Sequence, residues 1–341
     1  MEYGAIDLHL RRSQFRMERA DGTLVREGRC DTTRAEFTRI FGSVAPMRVL
    51  IESSTESEWV ARHLESLGHE VIVADPNYLP MYGDRSRRIK TDRRDTLALT
   101  TACRLGVYRP AHRVQPATRA LRQELRVRSH VVQMRTRAIN VLRALLRQEG
   151  LRLPSGSADH VLARLARLDL PPALSTVLAP LRACLATLED VLMQADVAVA
   201  RRARADAQAR RLMTVPGVGP VIALSFQATL ETPARFDGTA ARVSAFLGLV
   251  PTERSSGAHQ RKGHITKMGP GQLRALLIQA GWTIWRSRQP AAAALRAWAR
   301  ALAARRGCRI AIVALARRLS RILFALWRDQ TDFHWTTPMP A

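Results

Sequence analysis

Lysine is almost missing from this chain: of its 54 basic residues only Lys90, Lys262 and Lys267 are lysines, and the rest are arginines. Acids are also scarce, 29 against 54, which leaves a net charge of +25. A compositional preference for Arg and Ala explains the choice of arginine, but it does not explain the excess over acids. That excess points to a polyanionic partner, because nucleic acid gives up condensed counterions when cations replace them. Cysteine is sparse and scattered, at Cys30, Cys103, Cys184 and Cys308. With no Cys-x-x-Cys pair and no histidine at ligand spacing, a zinc site is excluded and a reducing compartment fits. No basic-then-apolar leader opens the sequence. The apolar stretch near the end is broken by Arg305, Arg306, Arg309, Arg317 and Arg318, so it cannot span a bilayer. The expected location is the cytoplasm. What is present suits two or three soluble domains with proper cores: 341 residues, 46% hydrophobic and 24% charged.

The first hundred residues alternate strand and helix signals. Tyr3 to His9 reads as a strand, and Arg12 to Arg19 and Thr23 to Gly28 form a hairpin about Asp21-Gly22. Thr32 to Phe41 is a short helix capped by Thr32 or Thr33. Met47 to Ile51 is an apolar strand ending on Glu52, Ser54 to Leu67 is a helix stopped by Gly68, and Val71 to Ala74 is a further strand. A hairpin followed by strand–helix–strand predicts an α/β sheet of mixed direction.

Four acids stand out against that frame. Asp7 lies in an otherwise apolar strand, where burial without a compensating cation is costly. Glu52 ends an apolar strand, the edge at which open α/β sheets place their ligand sites. Asp92 and Asp95 begin a helix running to about Leu105, and their i, i+3 spacing sets both on one face. Carboxylates converging from separate elements suit Mg²⁺, or Mn²⁺, for phosphodiester chemistry. The plainer readings are that Asp92 caps its helix and that Asp95 pairs with a surface arginine. Asp75 before Pro76 reads as a turn residue and Glu56 as an exposed helix acid.

From Pro116 the pattern is helical for about thirty residues, with Leu121, Leu125, Val132, Ile139, Leu142 and Leu146 on one stripe and arginines opposite. The Arg113–Arg147 face reads either as a nucleic-acid contact or as a solvated surface. After a turn at Pro154 to Ser157, Leu174, Leu178, Leu181, Leu185, Leu188, Leu192, Ala195 and Val199 alternate spacings of four and three, the signature of a coiled-coil seam. Pro180 should kink or delay this helix and confine the seam to Leu181–Val199. The seam serves self-association or an intramolecular hairpin with the preceding helix. Leu212 to Leu224 contains Pro216-Gly217-Val218-Gly219-Pro220 between two helices. This is a helix–hairpin–helix pattern whose Gly217 and Gly219 let backbone N–H groups face a phosphate, or else a tight turn between helices. Further helices are expected after Ala240, over Gly271–Trp285, Gln289–Ala304 and Arg309–Trp327. Trp282, Trp285, Trp298 and Trp327 are read as packing residues.

Between these helices lies Pro251 to Gly257 (PTERSSG), followed by Arg261, Lys262, His264 and Lys267. A serine attacks only when neighbours orient it and stabilise the developing charge, and a loop rich in cations and glycine can hold a phosphodiester beside it. Alone, such a segment reads as a basic surface turn.

The order of Ala5-Ile6-Asp7-Leu8-His9, Leu50 to Glu56 (LIESSTE), Lys90 to Asp95 (KTDRRD), Val215 to Pro220 (VPGVGP), Gly248 to Gly257 (GLVPTERSSG) and Gly263 to Arg274 (GHITKMGPGQLR) resembles the IS-one-ten class of bacterial insertion-sequence transposases, relatives of the pilin-gene invertases, over nearly the whole chain. The resemblance implies an α/β RuvC-like (ribonuclease H-like) domain with a mixed sheet at residues 1–112. A helical coiled-coil region follows at 113–208, then a mainly α transposase domain with the helix–hairpin–helix and serine loop at 209–329, and a loose tail at 330–341. It implies that Asp7, Glu52, Asp92 and Asp95 hold the metal. It also implies that Ser256, or its neighbour Ser255, attacks DNA and becomes joined to the strand, in a composite site formed between protomers across the coiled coil. Arg261, Lys262 and Lys267 then neutralise the phosphate. Members of the class are guided by a structured RNA from the element. His9 stands where a smaller or basic residue is expected, and Pro270-Gly271 interrupts the segment after Gly269.

The expected function is DNA strand cleavage and exchange by a homo-oligomer acting on element ends and target DNA with a guide RNA, in the bacterial cytoplasm at the nucleoid. A metal-only nuclease or junction resolvase, and a non-enzymatic basic scaffold, are the rival expectations.

Overall fold

The computed structural model describes residues 2–82, 91–253 and 262–334. Ser255, Ser256, Gly257 and Arg261 of the expected serine loop, and the end of the expected tail, lie outside the described residues. The chain divides into two compact units, 1–114 and 115–341.

In the first unit, β1 (Tyr3–Asp7), β2 (Arg12–Glu18) and β3 (Leu24–Asp31) form an antiparallel meander. The β2–β3 turn contains Gly22, at φ +88°, and Asp21, whose carboxylate accepts the Thr23 N–H. Helix α1 (Arg34–Phe41) follows, capped by the Thr33 hydroxyl on the Glu36 N–H. Then come β4 (Arg48–Glu52), α2 (Ser57–Ser66), β5 (Glu70–Ala74) and α3 (Asp92–Leu105). Among the described residues the sheet runs β3-β2-β1-β4-β5, with β1, β4 and β5 parallel. The mixed α/β sheet is therefore as expected from the order of elements, with β3 ending three residues later than its apolar signal suggested.

Strand alternation sorts the side chains into two layers. Ile6, Phe15, Met17, Val49, Ile51, Val71 and Val73 pack beneath α1 and α2 with Phe37, Phe41 and Leu64. Ala5, Leu50, Ala74 and their neighbours pack beneath α3 with Leu99, Ala102 and Cys103. By the same period of two, Asp7 and Glu52 belong to the α3 face.

The second unit is helical. Helices α4 (Pro116–Gln148) and α6 (Pro172–Ala205) pack on each other, with the short α5 (Val161–Leu165) near the α4–α6 turn. Arg128 pairs with Asp196 and Arg202 with Glu124, which fixes an antiparallel hairpin. Leu178, Leu185, Ile139, Leu142, Leu146, Val161 and Leu165 form its core. The expected delay at Pro180 does not occur: α6 begins at Pro172 and runs through it. Loss of the N–H and the ring clash cost about 3 kcal/mol. Leu178 and Leu185, both fully buried on either side of the proline, offset that cost only if the helix stays continuous.

The open end of the hairpin joins a larger core built from α7 (Ala207–Leu212), α8 (Pro220–Leu230), α9 (Ala240–Phe246), α10 (Gly271–Arg286), α11 (Ala293–Arg306) and α12 (Cys308–Asp329). Trp285, Trp298 and Trp327 are partly buried against that core. Two short strands, β6 (Pro251–Glu253) and β7 (Lys262–Ile265), pair antiparallel as a ribbon, where the sequence had suggested only a loop. Helix α9 ends at Phe246 rather than continuing to Val250, because Gly248 takes φ +63° and a side chain there would collide with the Met268 backbone. No helix among the described residues is long and apolar enough to cross a membrane.

Burial raises the Cys103 thiol to about 12 and the Cys30 thiol to about 11, whereas Cys184 is exposed and Cys308 half-buried. Since the thiolate is the nucleophile, the native protein at pH 8 is expected to take up alkylating reagent at Cys184, more slowly at Cys308, and at all four positions only after denaturation. Peptide mapping by mass spectrometry checks this.

Candidate active site

The parallel strands β1 and β4 end side by side. Their register matches Ile6 with Ile51, so Asp7 and Glu52 follow on the same edge and the same face. Asp7 is nearly buried, its side chain 13% exposed. His9 leaves the strand immediately afterwards and is fixed by its own backbone: its N–H donates to Ser13 Oγ, and its carbonyl accepts from the Thr32 hydroxyl at 2.8 Å. Its ring reaches both acids, with Nε2 3.5 Å from Asp7 Oδ2 and 3.8 Å from Asp92 Oδ1.

Asp92 does not cap α3. The cap is Thr91, whose hydroxyl accepts the Arg94 N–H, and Asp92 is the first helical residue with its carboxylate free to project. It accepts a bond from Arg29 Nη2 at 3.4 Å, and Arg29 Nε in turn donates to Gln14 Oε1 at 3.3 Å. Gln14 is level with Asp7 on one side and with Arg29 on the other, so Asp7, Gln14 and Arg29 form a row across three strands. Asp95, one turn further along α3, is buried, at 7% exposure. Asp75 does hold its turn, accepting the Asn77 N–H, and that bond keeps its carboxyl below the usual range.

Asp7, His9 and Asp92 offer ligand atoms that all lie within 4.8 Å of one another. Among the described residues that grouping takes in neither Glu52 nor Asp95. An ion with ligands at about 2.1 Å in octahedral geometry separates neighbouring donors by about 3 Å and opposite donors by about 4.2 Å. The 3.5 and 3.8 Å separations fall within that range, so two carboxylates and an imidazole here fit a divalent ion. Arg29 and the ring of His9 were absent from the four-acid set expected from the sequence. The position of His9, two residues past a buried strand-end acid, was a usable signal for one of them. Arg29 required the strand register.

In the second unit, the described residues that flank the expected serine segment are Glu253 and Lys262, which pair across the ribbon. Arg274 Nη1 donates to Leu247 O at 2.8 Å and Met268 O at 2.9 Å, tying both sides of the ribbon's base to α10. Lys262 and Lys267 are exposed, and Lys267 takes the left-handed conformation at φ +57°. In the glycine turn, Gly217 has φ +77°, and a side chain there would meet Ala280 O at 3.0 Å and Ile284 Cγ1 at 3.1 Å. Packing on α10 therefore accounts for Gly217. Gly219, the N-terminal flanking residue of α8, has open space where a side chain would lie.

Known proteins resemble this chain in both of its units. Residues 209–296 match the family model described as transposase IS116/IS110/IS902 family, and residues 5–150 match a DEDD transposase model of the IS110 type. A probable family 20 transposase of Pseudomonas aeruginosa is 30% identical over 343 aligned positions, covering 98% of this chain and 99% of the relative. The transposase for insertion sequence element IS1328 of Yersinia enterocolitica is 27% identical, with 88% of this chain and 90% of the relative covered. The transposase for IS1111A of Coxiella burnetii is 28% identical, covering 88% and 83%. With both halves matched in order and one relative aligned end to end, the chain belongs to the IS116/IS110/IS902 family of insertion-sequence transposases.

Proposed function

We propose that this transposase cuts and rejoins DNA with a carboxylate-held divalent ion in its first unit and a serine nucleophile, Ser256, in its second. The observation that carries the metal half is the convergence of Asp7, His9 and Asp92 at the strand edge. Glu52 and Asp95 complete the set in this reading, Glu52 from the same edge and Asp95 from the same helix. Bound there, Mg²⁺ or Mn²⁺ offsets the charge that builds on the attacking and leaving oxygens. The imidazole of His9 makes Mn²⁺ the better fit of the two, because nitrogen ligands suit transition ions more than Mg²⁺.

The remaining steps belong to the chain's own residues. The Ser256 Oγ–P bond forms as one backbone P–O bond breaks; the serine proton leaves to a base, and the departing oxygen takes up a proton. Attack by the hydroxyl of another strand end reverses this exchange and releases the serine. Arg261, Lys262 and Lys267 hold the phosphate, and the Pro216–Pro220 turn with Gly219 grips the backbone without reading sequence. The hairpin–parallel strand order supports a RuvC-like reading of the first unit. An element-encoded guide RNA is part of the proposal, supported by the +25 charge, as is action in the cytoplasm at the nucleoid.

Self-association through the helical hairpin is also proposed. The seam of α6 is used inside the chain, but α4 carries a second row, Val127, Val131, Met134, Ala138, Val141 and Leu145, again at spacings of four and three. Val127, Met134 and Val141 are 65%, 48% and 51% exposed, and a second copy of the hairpin would cover them.

Ser256→Ala is expected to abolish a denaturation-resistant protein–DNA adduct while Asp7→Asn abolishes cleavage and leaves DNA binding intact; both are read on gels. An adduct that persists in Ser256→Ala transfers the role to Ser255, and Mg²⁺-dependent cutting with no adduct in the wild type leaves a metal-only nuclease. His9→Ala is expected to weaken Mn²⁺ binding roughly tenfold in calorimetry and Mg²⁺ binding less. Met134→Glu with Val141→Glu is expected to lower the assembly mass in light scattering without loss of helix content.

A further inference from the structure

From Arg254 to Arg328 the sequence holds 16 lysines and arginines and not one acid. At the chain's overall frequency, 29 acids in 341 residues, a stretch of 75 would carry about six. The fold gathers part of this charge in one place. Where α10 ends and α11 begins, Arg286, Arg288, Arg296 and Arg300 line an open cavity of about 520 Å³ together with Trp285 and Ser287.

None of these four arginines joins a described ion pair; those of the second unit use Arg128, Arg135, Arg202, Arg211, Arg242 and Arg328. Two of the four are stacked rather than loose. Arg286 Cζ lies 5.3 Å from the Trp282 ring centroid, and Arg300 Cζ lies 5.9 Å from that of Trp285. Arg296 has a structural bond, donating Nη1 to Ser287 O and closing the turn between the helices. The negative end of α10 favours a cation nearby, which explains Arg286. It does not explain three more around the same concavity, where like charges repel and no carboxylate among the described residues forms an ion pair with them.

We propose that this pocket is a binding site for an unpaired nucleic-acid segment. The guanidinium planes take the phosphodiester oxygens, and the half-buried Trp285 and the stacked arginines take the face of an unstacked base. A concave site suits a flexible strand. A duplex presents its bases stacked inward and its phosphates on a convex surface, and so reaches only the rim. The site is distinct from the serine segment and the glycine turn. It rests on the reading above only for the class of ligand.

The test uses the full chain carrying Asp7→Asn, so that no cleavage interferes, with three probes of equal length: unpaired DNA, unpaired RNA and duplex DNA. Arg288→Glu/Arg300→Glu is compared with Arg305→Glu/Arg306→Glu, which makes the same change of charge at exposed positions outside the pocket. The pocket variant is expected to bind the unpaired probes at least tenfold more weakly, with the slope of log Kd against log salt reduced by about two, and to bind duplex within about threefold. The control is expected to stay within about threefold on every probe. A stronger loss on RNA than on DNA identifies RNA as the natural ligand, and the reverse identifies DNA. Equal losses in both double variants, or a larger loss on duplex, overturn the proposal. Should the double reversal unfold, Arg288→Ala alone, at an exposed residue, carries the test, and unchanged binding of the unpaired probes by it has the same force. Because no step reads strand cleavage, loss of the serine mechanism leaves this result standing.

Discussion

The geometry of the first unit depends on one constraint: side chains alternate along a strand, and β1 and β4 are parallel with Ile6 level with Ile51. That register carries Asp7 and Glu52 out of the sheet at the same edge and toward α3. A slip of one residue in either strand would send its acid into the apolar layer under α1 and α2, among Phe37, Phe41 and Leu64. The apolar packing of Ile6, Val49 and Ile51 on that opposite layer therefore determines where the carboxylates stand. The nearly buried Asp7 faces His9, and the half-exposed Asp92 accepts from Arg29, each partner held by strand or loop contacts of its own.

Charge is managed differently in the two units. In the first, arginines are matched to acids: Arg16 bonds Glu18 and Glu27, and Arg113 bonds Glu58 and Glu65. The bond from Arg93, followed by that from Arg16, holds the Glu27 carboxyl below its ordinary range. In the second unit, Arg286, Arg288, Arg296 and Arg300 join no described ion pair and line the cavity where α10 ends and α11 begins. A fold stabilised by its own ion pairs would show the first pattern throughout. The asymmetry is what a chain organised around a polyanion requires.

Much of this was legible in the sequence. The extent of α3 from Asp92 to Leu105 was read from the sequence, although its cap is Thr91 and not Asp92, and the hairpin follows from Asp21-Gly22, because turns are local chemistry. The continuity of α6 through Pro180 was not legible, since the penalty of a proline is local while the burial of Leu178 and Leu185 depends on where α4 lies. The β6–β7 ribbon was missed for a similar reason: strands of three and four residues carry too little period to register. In the site, Asp7 and Glu52 announce themselves by sitting in apolar strands, Asp92 and Asp95 by their i, i+3 spacing, and His9 by its nearness to Asp7. Arg29 has no such signal, because its partnership with Asp92 spans 63 positions and exists only through the β2–β3 register.

The ribbon also bears on how this chain tolerates change. Glu253 and Lys262 are opposite one another, and Arg274 fastens both sides of the base. Eight residues are thus inserted between two anchored neighbours. A change of chain length between two such neighbours alters closure entropy by only tenths of a kcal/mol per residue. The segment bearing the serines can diversify in length and composition while the helical scaffold beneath it stays as it is. The edge that carries Asp7 and Glu52 has no comparable freedom, since one inserted residue in β1 or β4 reverses the face of every side chain after it.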